Sequence, residues 1–253
     1  MIFAIPSYNR YKTIFKHTIS FLLKENTERN DIYIFVANQE QYDLYRDHIG
    51  DDFNIIIGKL GIANQRNFIR YYFNEFEEII VLDDDILRFV SLNDTISFLD
   101  FCKEQFIICK EKDIHLWGAY PISFYLKQTE TNNQLTFIIG SFYGFINSHD
   151  NGLDVSDKAE CKEDIEMSIL HFKKYGKIRR VNWCSLAKSK QKKGGLFDID
   201  RTVVNHNSAL YLKEKYPEYI SKIYERKGYT EVKLRNLTSD VDKLQVEEKF
   251  ETD

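Results

Sequence analysis

The first 90 residues alternate short β-branched runs with amphipathic helical segments, and this alternation restricts the possible folds more than any other feature. Strands are predicted at 2–5, 32–37, 54–58 and 79–82, and helices lie between them over 14–22, 41–49 and 62–76. This order is typical of βαβ units around a largely parallel sheet. We therefore expect an α/β fold with a mostly parallel central sheet flanked by helices.

The second half continues as one domain. Helices are predicted over 95–110, 165–175 and 208–226, and strands at 114–124, 135–147 and near 181–183, with a hairpin connection at 127–134 and a basic loop at 188–195. With 3 Pro and 11 Gly, the chain has no linker-like stretch and no internal repeat. We expect a single domain over 1–253, divided into a first half (1–90), a second half (91–226) and a charged C-terminal segment (227–253).

Composition excludes several classes of protein. The 253 residues are 43% hydrophobic, which supports a buried core, and a formal charge of -4 argues against a generally basic nucleic-acid binder. The four cysteines lack the spacing of a zinc site or a disulfide framework and are expected to be free thiols. No signal peptide is evident, and the longest apolar stretch, 135–146, is shorter than the ~20 residues of a membrane span. We expect a soluble cytoplasmic or nuclear protein without a membrane partner.

Three consecutive carboxylates follow the fourth predicted strand. Asp83, Asp84 and Asp85 come directly after a buried apolar run, and open α/β sheets bind ligands at the carboxyl ends of their strands. Three neighbouring carboxylates are unfavourable unless a cation neutralises them. Mg²⁺ or Mn²⁺, completed by phosphate oxygens and water, would supply that cation. The alternative is a solvated acidic turn.

Polar side chains follow the other strands at the same expected edge. Ser7, Tyr8, Asn9 and Arg10 come after the first strand and Asn38 after the second, while Gln65, Arg66 and Asn67 lie early in the helix before the aspartates. A base and ribose need amide and hydroxyl partners, and a diphosphate needs a guanidinium. The alternatives are surface arginines for Arg10 and Arg66 and a helix-surface amide for Asn67.

These residues resemble a known pattern. The segments 5–10, 65–67 and 81–85 resemble GT-A glycosyltransferases, in which a D-x-D motif carries the metal of a sugar nucleotide. The segment 162–166 (KEDIE) is similar to the x-E-D element that supplies the acceptor base in inverting members. More narrowly, 34–38, 42–45, 179–182, 188–190 and 194–196 resemble the TET-associated glycosyltransferases, which include the enzyme that makes base J. The match covers about residues 2 to 220 in order.

The resemblance implies a Rossmann-like GT-A domain, with a nucleotide-sugar-binding first half and an acceptor-binding second half. It places a metal on Asp83 and Asp85, with His206 as a third ligand, although His206 is equally consistent with an incidental imidazole near a helix cap. The residues it implies for the sugar nucleotide are Pro6, Ser7, Tyr8, Asn9, Arg10, Asn38, Gln65, Arg66, Asn67, Asp83, Asp84, Lys190, Gly194 and Gly195.

The x-E-D resemblance implies that Asp164 is the base that removes the acceptor proton. At the start of a helix, the positive end of the helix dipole would keep Asp164 ionised, and Glu163 would hold acceptor or sugar hydroxyls. The alternative is that both are ordinary acidic residues of a first helical turn.

The acceptor is inferred from a basic stretch and from the narrower resemblance. Residues 173–201 contain ten Lys or Arg and two Asp, with Tyr175, Trp183 and Phe197 between them, as a surface that tracks phosphates and stacks bases requires. A solvated basic face, or a loop that closes over the donor, would explain the same charges.

The leading hypothesis is a Mn²⁺- or Mg²⁺-dependent transferase that moves a hexose, glucose from UDP-glucose, onto a hydroxymethylated pyrimidine base in DNA. The alternatives are a GT-A enzyme acting on a glycan or lipid-linked acceptor and a catalytically inactive nucleic-acid-binding relative. The presence of Asp83, Asp85 and Asp164 argues against the inactive relative.

Overall fold

The computed structural model describes residues 1–126, 131–189 and 201–237, and its first half is the predicted series of βαβ units. The strands are β1 (Ile2–Pro6), β2 (Ile32–Val36), β3 (Asn54–Ile57) and β4 (Glu78–Leu82). A π-helical turn (Phe15–Ile19) leads into α1 (Ser20–Lys24), and the next helices are α2 (Gln39–Ile49) and α3 (Ile62–Tyr72).

The second half adds seven strands and three helices within the described residues. The strands are β5 (Ile86–Ser91), β6 (Leu116–Ala119), β7 (Phe142–Ile146), β8 (Arg179–Val181), β9 (Cys184–Lys188), β10 (Ile220–Arg226) and β11 (Tyr229–Leu234). The helices are α4 (Phe98–Lys112), α5 (Glu163–Tyr175) and α6 (Arg201–Lys215). Short 3-10 turns occur at Arg29–Asp31, Asn151–Leu153 and Asp157–Ala159.

Seven strands form the central sheet in the order β3-β2-β1-β4-β7-β6-β8. The β1–β2, β1–β4, β2–β3 and β6–β8 pairs are parallel, whereas β7 runs antiparallel to both β4 and β6. The prediction of a mostly parallel sheet is therefore confirmed. Because β4 is central in the sheet, it delivers the three aspartates to the middle of its carboxyl edge.

Helices cover both faces of this sheet. One apolar cluster joins Phe3, Ile5 and Trp117 to side chains of α1, α2 and α4. The other joins Phe35 and Val81 to side chains of α3, α5 and α6. Burial of both faces explains why β4 is apolar from Ile79 to Leu82, since alternate side chains of a strand enter opposite clusters.

Two small sheets complete the described fold. Strands β5 and β9 pair antiparallel, with Ile86 opposite Lys188, so that β9 returns to the residues that follow the aspartates. Strands β10 and β11 form a hairpin on which α6 packs. Within the described residues, no helix is long and apolar enough to cross a membrane.

The end of the chain differs from its prediction, because residues 208–226 do not form one helix. Helix α6 ends at Lys215, just before Pro217, which has no amide proton and disfavours helical geometry at the residue before it. Residues 220–226 are instead the first strand of the hairpin. Its two turn residues, Lys227 and Gly228, both have positive φ, as a tight two-residue hairpin loop requires.

The two strands predicted around the hairpin connection were too long. Only 116–119 and 142–146 join the sheet, because Pro121 cannot donate to a strand ladder and the stretch from Leu135 to Ile138 packs apolar side chains into the core without pairing. The predicted connection at 127–134 lies partly outside the described residues. Its described part contains an isolated bridge between Asn132 and Arg180 of β8, not a simple hairpin.

Candidate active site

The backbone of the aspartate triplet is held on two sides. The amide of Asp83 donates to the carbonyl of Ser141 at 3.1 Å. The hydroxyl of Thr18, in the first helical segment, donates to the carbonyl of Asp83 at 2.7 Å and accepts from the amide of Ile86 at 2.9 Å. These bonds fix the direction in which the three carboxylates leave the sheet edge.

The three carboxylates have different partners. Asp83 accepts a hydrogen bond from Lys188 Nζ at 2.9 Å. Asp84 accepts from the hydroxyl of Ser7 at 2.5 Å and from Arg10 Nη1 at 2.8 Å. Asp85 lies 3.4 Å from the same Arg10 nitrogen, and its other oxygen, Oδ1, is buried without a hydrogen-bond donor among the described residues. Two cations of the chain therefore compensate part of the negative charge.

These partners separate the pKa values of the triplet. Burial opposes ionisation of Asp83, but the combined effect of Lys188, Arg66 and Arg10 outweighs it and holds the pKa below its usual value. Burial raises the pKa of Asp84 to about 7 against the opposing effect of Arg10. Burial also raises the pKa of Asp85, although Lys188 opposes it. At neutral pH, Asp83 is therefore the most fully ionised of the three.

The loop after β1 is fixed by α2. Tyr45 hydrogen-bonds the Ser7 hydroxyl at 2.5 Å and accepts from the amide of Arg10 at 3.0 Å. Gln41 bonds both the amide and the side-chain oxygen of Asn9, at 2.8 and 2.7 Å. Asn9 has a φ of 57°, which asparagine tolerates better than most residues. Ser7 and Arg10 are thus placed against Asp84 by a helix that follows the neighbouring strand.

Other predicted residues lie near this loop. Pro6 is the buried last residue of β1, and Tyr8 is half-buried just after it. Asn38 caps α2, because its side-chain oxygen accepts from the amide of Gln41 at 2.9 Å. Three further predicted residues, Lys190, Gly194 and Gly195, lie outside the described residues.

Two predicted nucleotide ligands on α3 serve the fold instead. Gln65 is buried and accepts from the amide of Lys59 at 2.6 Å. Asn67 donates to the carbonyl of Val155 at 2.8 Å and accepts from its amide at 3.0 Å. Because both amides already have backbone partners, the structure assigns them to holding loops, which corrects the sequence-based assignment.

The structure also corrects the predicted role of His206. This residue lies on α6, where its Nδ1 hydrogen-bonds the hydroxyl of Thr230 at 2.9 Å across the contact with β11. In the described ranges, no group of three or more His, Cys, Asp or Glu side chains is arranged to hold a metal ion. The expected set of Asp83, Asp85 and His206 is therefore not assembled, because α6 packs on the terminal hairpin.

The x-E-D element lies at the start of α5, where Arg66 and Gly140 meet it. Arg66 Nη2 is 3.2 Å from Glu163 Oε1 and donates to the carbonyl of Gly140 at 3.1 Å. Asp164 accepts from the amide of Gly140 at 3.1 Å and from that of Ile165 at 2.9 Å. Both carboxyl groups are thus held from within the protein.

Burial raises the pKa values of both carboxyl groups. The pKa of Glu163 rises to about 8 despite the nearby Arg66. The pKa of Asp164 is also raised by burial, against the opposing effects of Arg66 and the two backbone amides. The sequence-based expectation that the helix dipole would keep Asp164 ionised therefore omitted a larger effect. Since Asp164 accepts two backbone amides, we assign it the more readily ionised position of the pair.

Arg66 is buried. It lies over the ring of Tyr143 at 5.2 Å, and two of its nitrogens, Nε and Nη1, have no hydrogen-bond partner among the described residues. Its charge balances Glu163 and Asp164, and its predicted role as a nucleotide-sugar ligand stays a prediction.

The segment Gly140–Ser141 connects the two groups of carboxylates. Gly140 contacts Asp164 through its amide, and the next residue, Ser141, accepts the amide of Asp83. A Cβ on Gly140 would lie 2.3 Å from Arg66 Nη2, so a larger residue could not occupy this position without displacement. The D-x-D-like triplet and the x-E-D-like element therefore lie on either side of two consecutive residues.

Sequence reasoning missed several members of this site. Lys188 was noted in the basic stretch and in a segment quoted for the family resemblance, without a role in the site, and its pairing with Asp83 depends on the unpredicted β5–β9 sheet. Tyr45 belonged to a segment quoted for the family resemblance, without a role. No local motif identified Gln41, Thr18 or Gly140, because each acts through a partner distant in sequence.

Several cations in the described part of the basic stretch already have partners in the protein. The pairs are Arg179 with Gln105, Arg180 with Asn182, Lys174 with Asp150 and Lys188 with Asp83. Its aromatic side chains also pack inward, since Tyr175 stacks on His115 and Trp183 packs on Phe101. The other predicted members at 190–200 lie outside the described residues.

Comparisons with known proteins bear on the fold. No protein-family model matches the chain, and a search of curated proteins finds no match either. Among solved structures, residues 1–349 of S. aureus TarS in complex with UDP-GlcNAc match with a TM-score of 0.53 and 12% identity, over 86% of this chain and 73% of that chain. Another structure of S. aureus TarS matches with a TM-score of 0.50 and 13% identity, over 85% of this chain and 44% of that chain. At this identity the likeness shows the fold alone, and the GT-A-like fold expected from the sequence is confirmed.

Proposed function

We propose that this protein is a nucleotide-sugar-dependent glycosyltransferase that moves a hexose from a UDP-sugar to an acceptor hydroxyl. The observation that carries the proposal is the junction at Gly140–Ser141, which brings Asp83 and Asp164 to one place. A phosphate-binding edge and a buried carboxylate are the two groups that such a transfer needs. The fold supports the same reading, because TarS, which it resembles, has been crystallised with UDP-GlcNAc.

The residues at the sheet edge fit a divalent cation. Asp83 is ionised and its side chain is 31% exposed, while Asp85 Oδ1 is an acceptor without a donor among the described residues. Carboxylate oxygens are the ligands that Mg²⁺ and Mn²⁺ prefer, and one or two are enough when a substrate phosphate supplies others. Asp83 and Asp85 would hold the ion, which stabilises negative charge on the departing diphosphate.

The cations of the chain act on the same charge. Lys188 Nζ, 2.9 Å from Asp83, can exchange a carboxylate for a diphosphate oxygen when the donor binds. Arg10 is held by Asp84 and Asp85 within the same group of charges. Positive groups placed where charge develops lower the barrier to departure of the diphosphate.

With Asp164 as the base, every bond and proton in the proposed transfer is accounted for. A bond forms between the acceptor oxygen and the anomeric carbon while the bond from that carbon to the diphosphate breaks, and UDP leaves. The acceptor proton passes to Asp164, whose raised pKa makes it a better proton acceptor than an ordinary aspartate. Glu163, with a pKa of about 8, is mostly protonated at neutral pH and can donate a hydrogen bond to a sugar or acceptor hydroxyl.

The finer proposal names glucose from UDP-glucose and a hydroxymethylated pyrimidine of DNA as donor and acceptor. It is supported by the resemblance to the TET-associated family. A neutral glycan is the second acceptor class, and a cleft lined by Ser141, Lys188 and the exposed ring of Phe124 favours it.

The test is UDP release from purified protein with Mn²⁺ and a panel of UDP-sugars, measured with and without acceptor. We expect at least one UDP-sugar to raise the melting temperature, since a ligand that binds the folded state stabilises it. Asp83→Asn should remove the metal-dependent part of that shift. The matched control is Asp51→Asn, at an exposed turn outside the site. No stabilisation and no UDP release with any UDP-sugar would refute the proposed function.

A further inference from the structure

A cleft of about 220 Å³ opens beside Lys188 and Ser141, and neither the resemblance nor the comparisons assign it a ligand. Its lining is Ala119, Tyr120, Pro121, Ile122, Ser123, Phe124, Ile139, Ser141, Phe142, Ser185, Leu186 and Lys188. Pockets for drug-sized ligands have volumes of roughly 300–1000 Å³, so this cleft is suited to a single ring.

The position of the cleft links it to the proposed reaction. Lys188 lines it and pairs with Asp83, and Ser141 lines it while accepting the Asp83 amide. Gly140, between the lining residues Ile139 and Ser141, donates to Asp164. A ring bound here would therefore contact residues that bond Asp83 and that flank Gly140, which bonds Asp164.

Two serines line the cleft. Ser141 and Ser185 are 8% and 2% exposed as residues, and each carries a hydroxyl beside the cleft. A hydroxyl can both donate and accept a hydrogen bond. Two of them in one cleft suit a ligand with hydroxyls of its own.

The rim of the cleft is aromatic and exposed. Phe124 is 87% exposed and lines the opening, which is unusual for so large an apolar side chain. An exposed ring at the mouth of a polar cleft offers a flat apolar face, which the C–H face of a sugar ring can cover while its hydroxyls reach the floor.

The charged residues that line the cleft indicate whether it suits a neutral or an anionic ligand. Among the described residues that line it, Lys188 is the one Lys or Arg and is paired with Asp83, and none is Asp or Glu. A nucleic-acid strand requires a groove with several cations that follow its phosphates. The lining thus matches a neutral hydroxylated ring better than a polyanion.

We propose that this cleft binds the acceptor as a neutral sugar ring, stacked on Phe124 and hydrogen-bonded to the hydroxyls of Ser141 and Ser185. The proposal rests on the proposed glycosyltransferase function and specifies its acceptor class. It also implies that the enzyme modifies a glycan instead of a DNA base.

The experiment compares Phe124→Ala with Tyr125→Ala in the full chain. Tyr125 is a matched control, because it is the neighbouring aromatic residue, is 72% exposed and does not line the cleft. Lactose, cellobiose and chitobiose are the neutral probes, and duplex DNA with hydroxymethylcytosine is the anionic one. Ligand-observed NMR measures sugar binding without a donor, and UDP release measures transfer.

We expect a neutral disaccharide to bind and accept the sugar, with Phe124→Ala raising its KM or Kd about tenfold and Tyr125→Ala leaving it unchanged. Disaccharides without Phe124-dependent binding or transfer, or transfer to DNA alone, overturn the proposal. A rise in KM for the UDP-sugar instead of the acceptor would place the donor sugar in the cleft, and also overturns it. If sugar binds through Phe124 but no UDP-sugar reacts, the glycosyltransferase function fails and the sugar site remains.

Discussion

Replacement of Gly140 by alanine tests the junction on which the proposed chemistry depends. The new Cβ would lie 2.3 Å from Arg66 Nη2 and 2.9 Å from its Cζ, closer than non-bonded atoms approach. Arg66 is buried against Tyr143 and cannot move away freely. Either Arg66 or the segment at 140 must shift, and both movements change the partners of Asp164.

The size of the effect follows from the geometry. Overpacking a buried site costs about 1–3 kcal/mol in the free energy of unfolding. Gly144→Ala is the matched control, because its Cβ would also lie 2.3 Å from a buried side chain, the indole of Trp117, which has no part in the site. We expect both variants to lose stability, but only Gly140→Ala to lose kcat as well, by about tenfold or more.

The pH profile adds an independent readout. Arg66 lowers the pKa of Asp164 against the larger effect of burial, so its displacement should raise that pKa further. A base with a higher pKa becomes ionised only at higher pH, and the acidic limb of the kcat profile should therefore move upward. Urea unfolding gives stability, and UDP release across pH gives the limb. Suppose that Gly140→Ala loses as much stability as Gly144→Ala but keeps the wild-type kcat and pH profile. That result would refute the coupling between the segment at 140 and Asp164.

Three further predictions follow from other contacts. Asp164→Asn should keep thermal stabilisation by a UDP-sugar with Mn²⁺ while turnover falls by about 10²–10⁴; loss of donor binding instead would contradict its role as the base. Asn67→Ala should lower the free energy of unfolding by about 1–3 kcal/mol through the lost Val155 bonds, with an unchanged KM for the UDP-sugar, whereas a raised KM would restore Asn67 as a ligand. Burial raises the pKa of Glu163 from 4.5 to about 8, so the folded state binds more protons than the unfolded state between these values and stability should fall as pH rises through them. Glu163→Gln should flatten that dependence in denaturant titrations from pH 5 to 8, and an unchanged slope would contradict the assignment.

The elements whose structure follows from their own residues could be predicted from short sequence patterns. The strands β1 to β4 were predictable because apolar runs buried on both faces have few other structures available, and the aspartates were placed because a strand end is visible in sequence. The hairpin of β10 and β11 was not predicted, since its strands are mostly exposed and give no apolar pattern. The sequence features that mark this hairpin are Pro217, which ends the helix, and the turn pair Lys227–Gly228. The helical spacing of apolar residues over 208–226 led to the wrong prediction of a continuous helix.

The same distinction between local patterns and tertiary contacts applies to the residues of the site. Ser7, Arg10 and the aspartates were found because they follow strands directly, whereas Lys188 required the β5–β9 pairing, which joins residues about a hundred positions apart. Asn67 had the right residue type at an apparently suitable place, yet its amide matched the backbone of Val155. Residue type and strand position identify which groups can approach a ligand, but only tertiary contacts show which of them already have a partner.

The same reasoning explains why the acceptor was harder to predict than the donor site. A charge count over 173–201 treats every Lys and Arg as available, although Arg179 is buried against Gln105 and Lys188 is bound to Asp83. Once paired cations are removed, the remaining charge no longer describes a phosphate-binding groove in the described residues. The cleft beside Lys188 is lined instead by the hydroxyls of Ser141 and Ser185 and by the exposed ring of Phe124. This lining favours a neutral sugar over a nucleic acid.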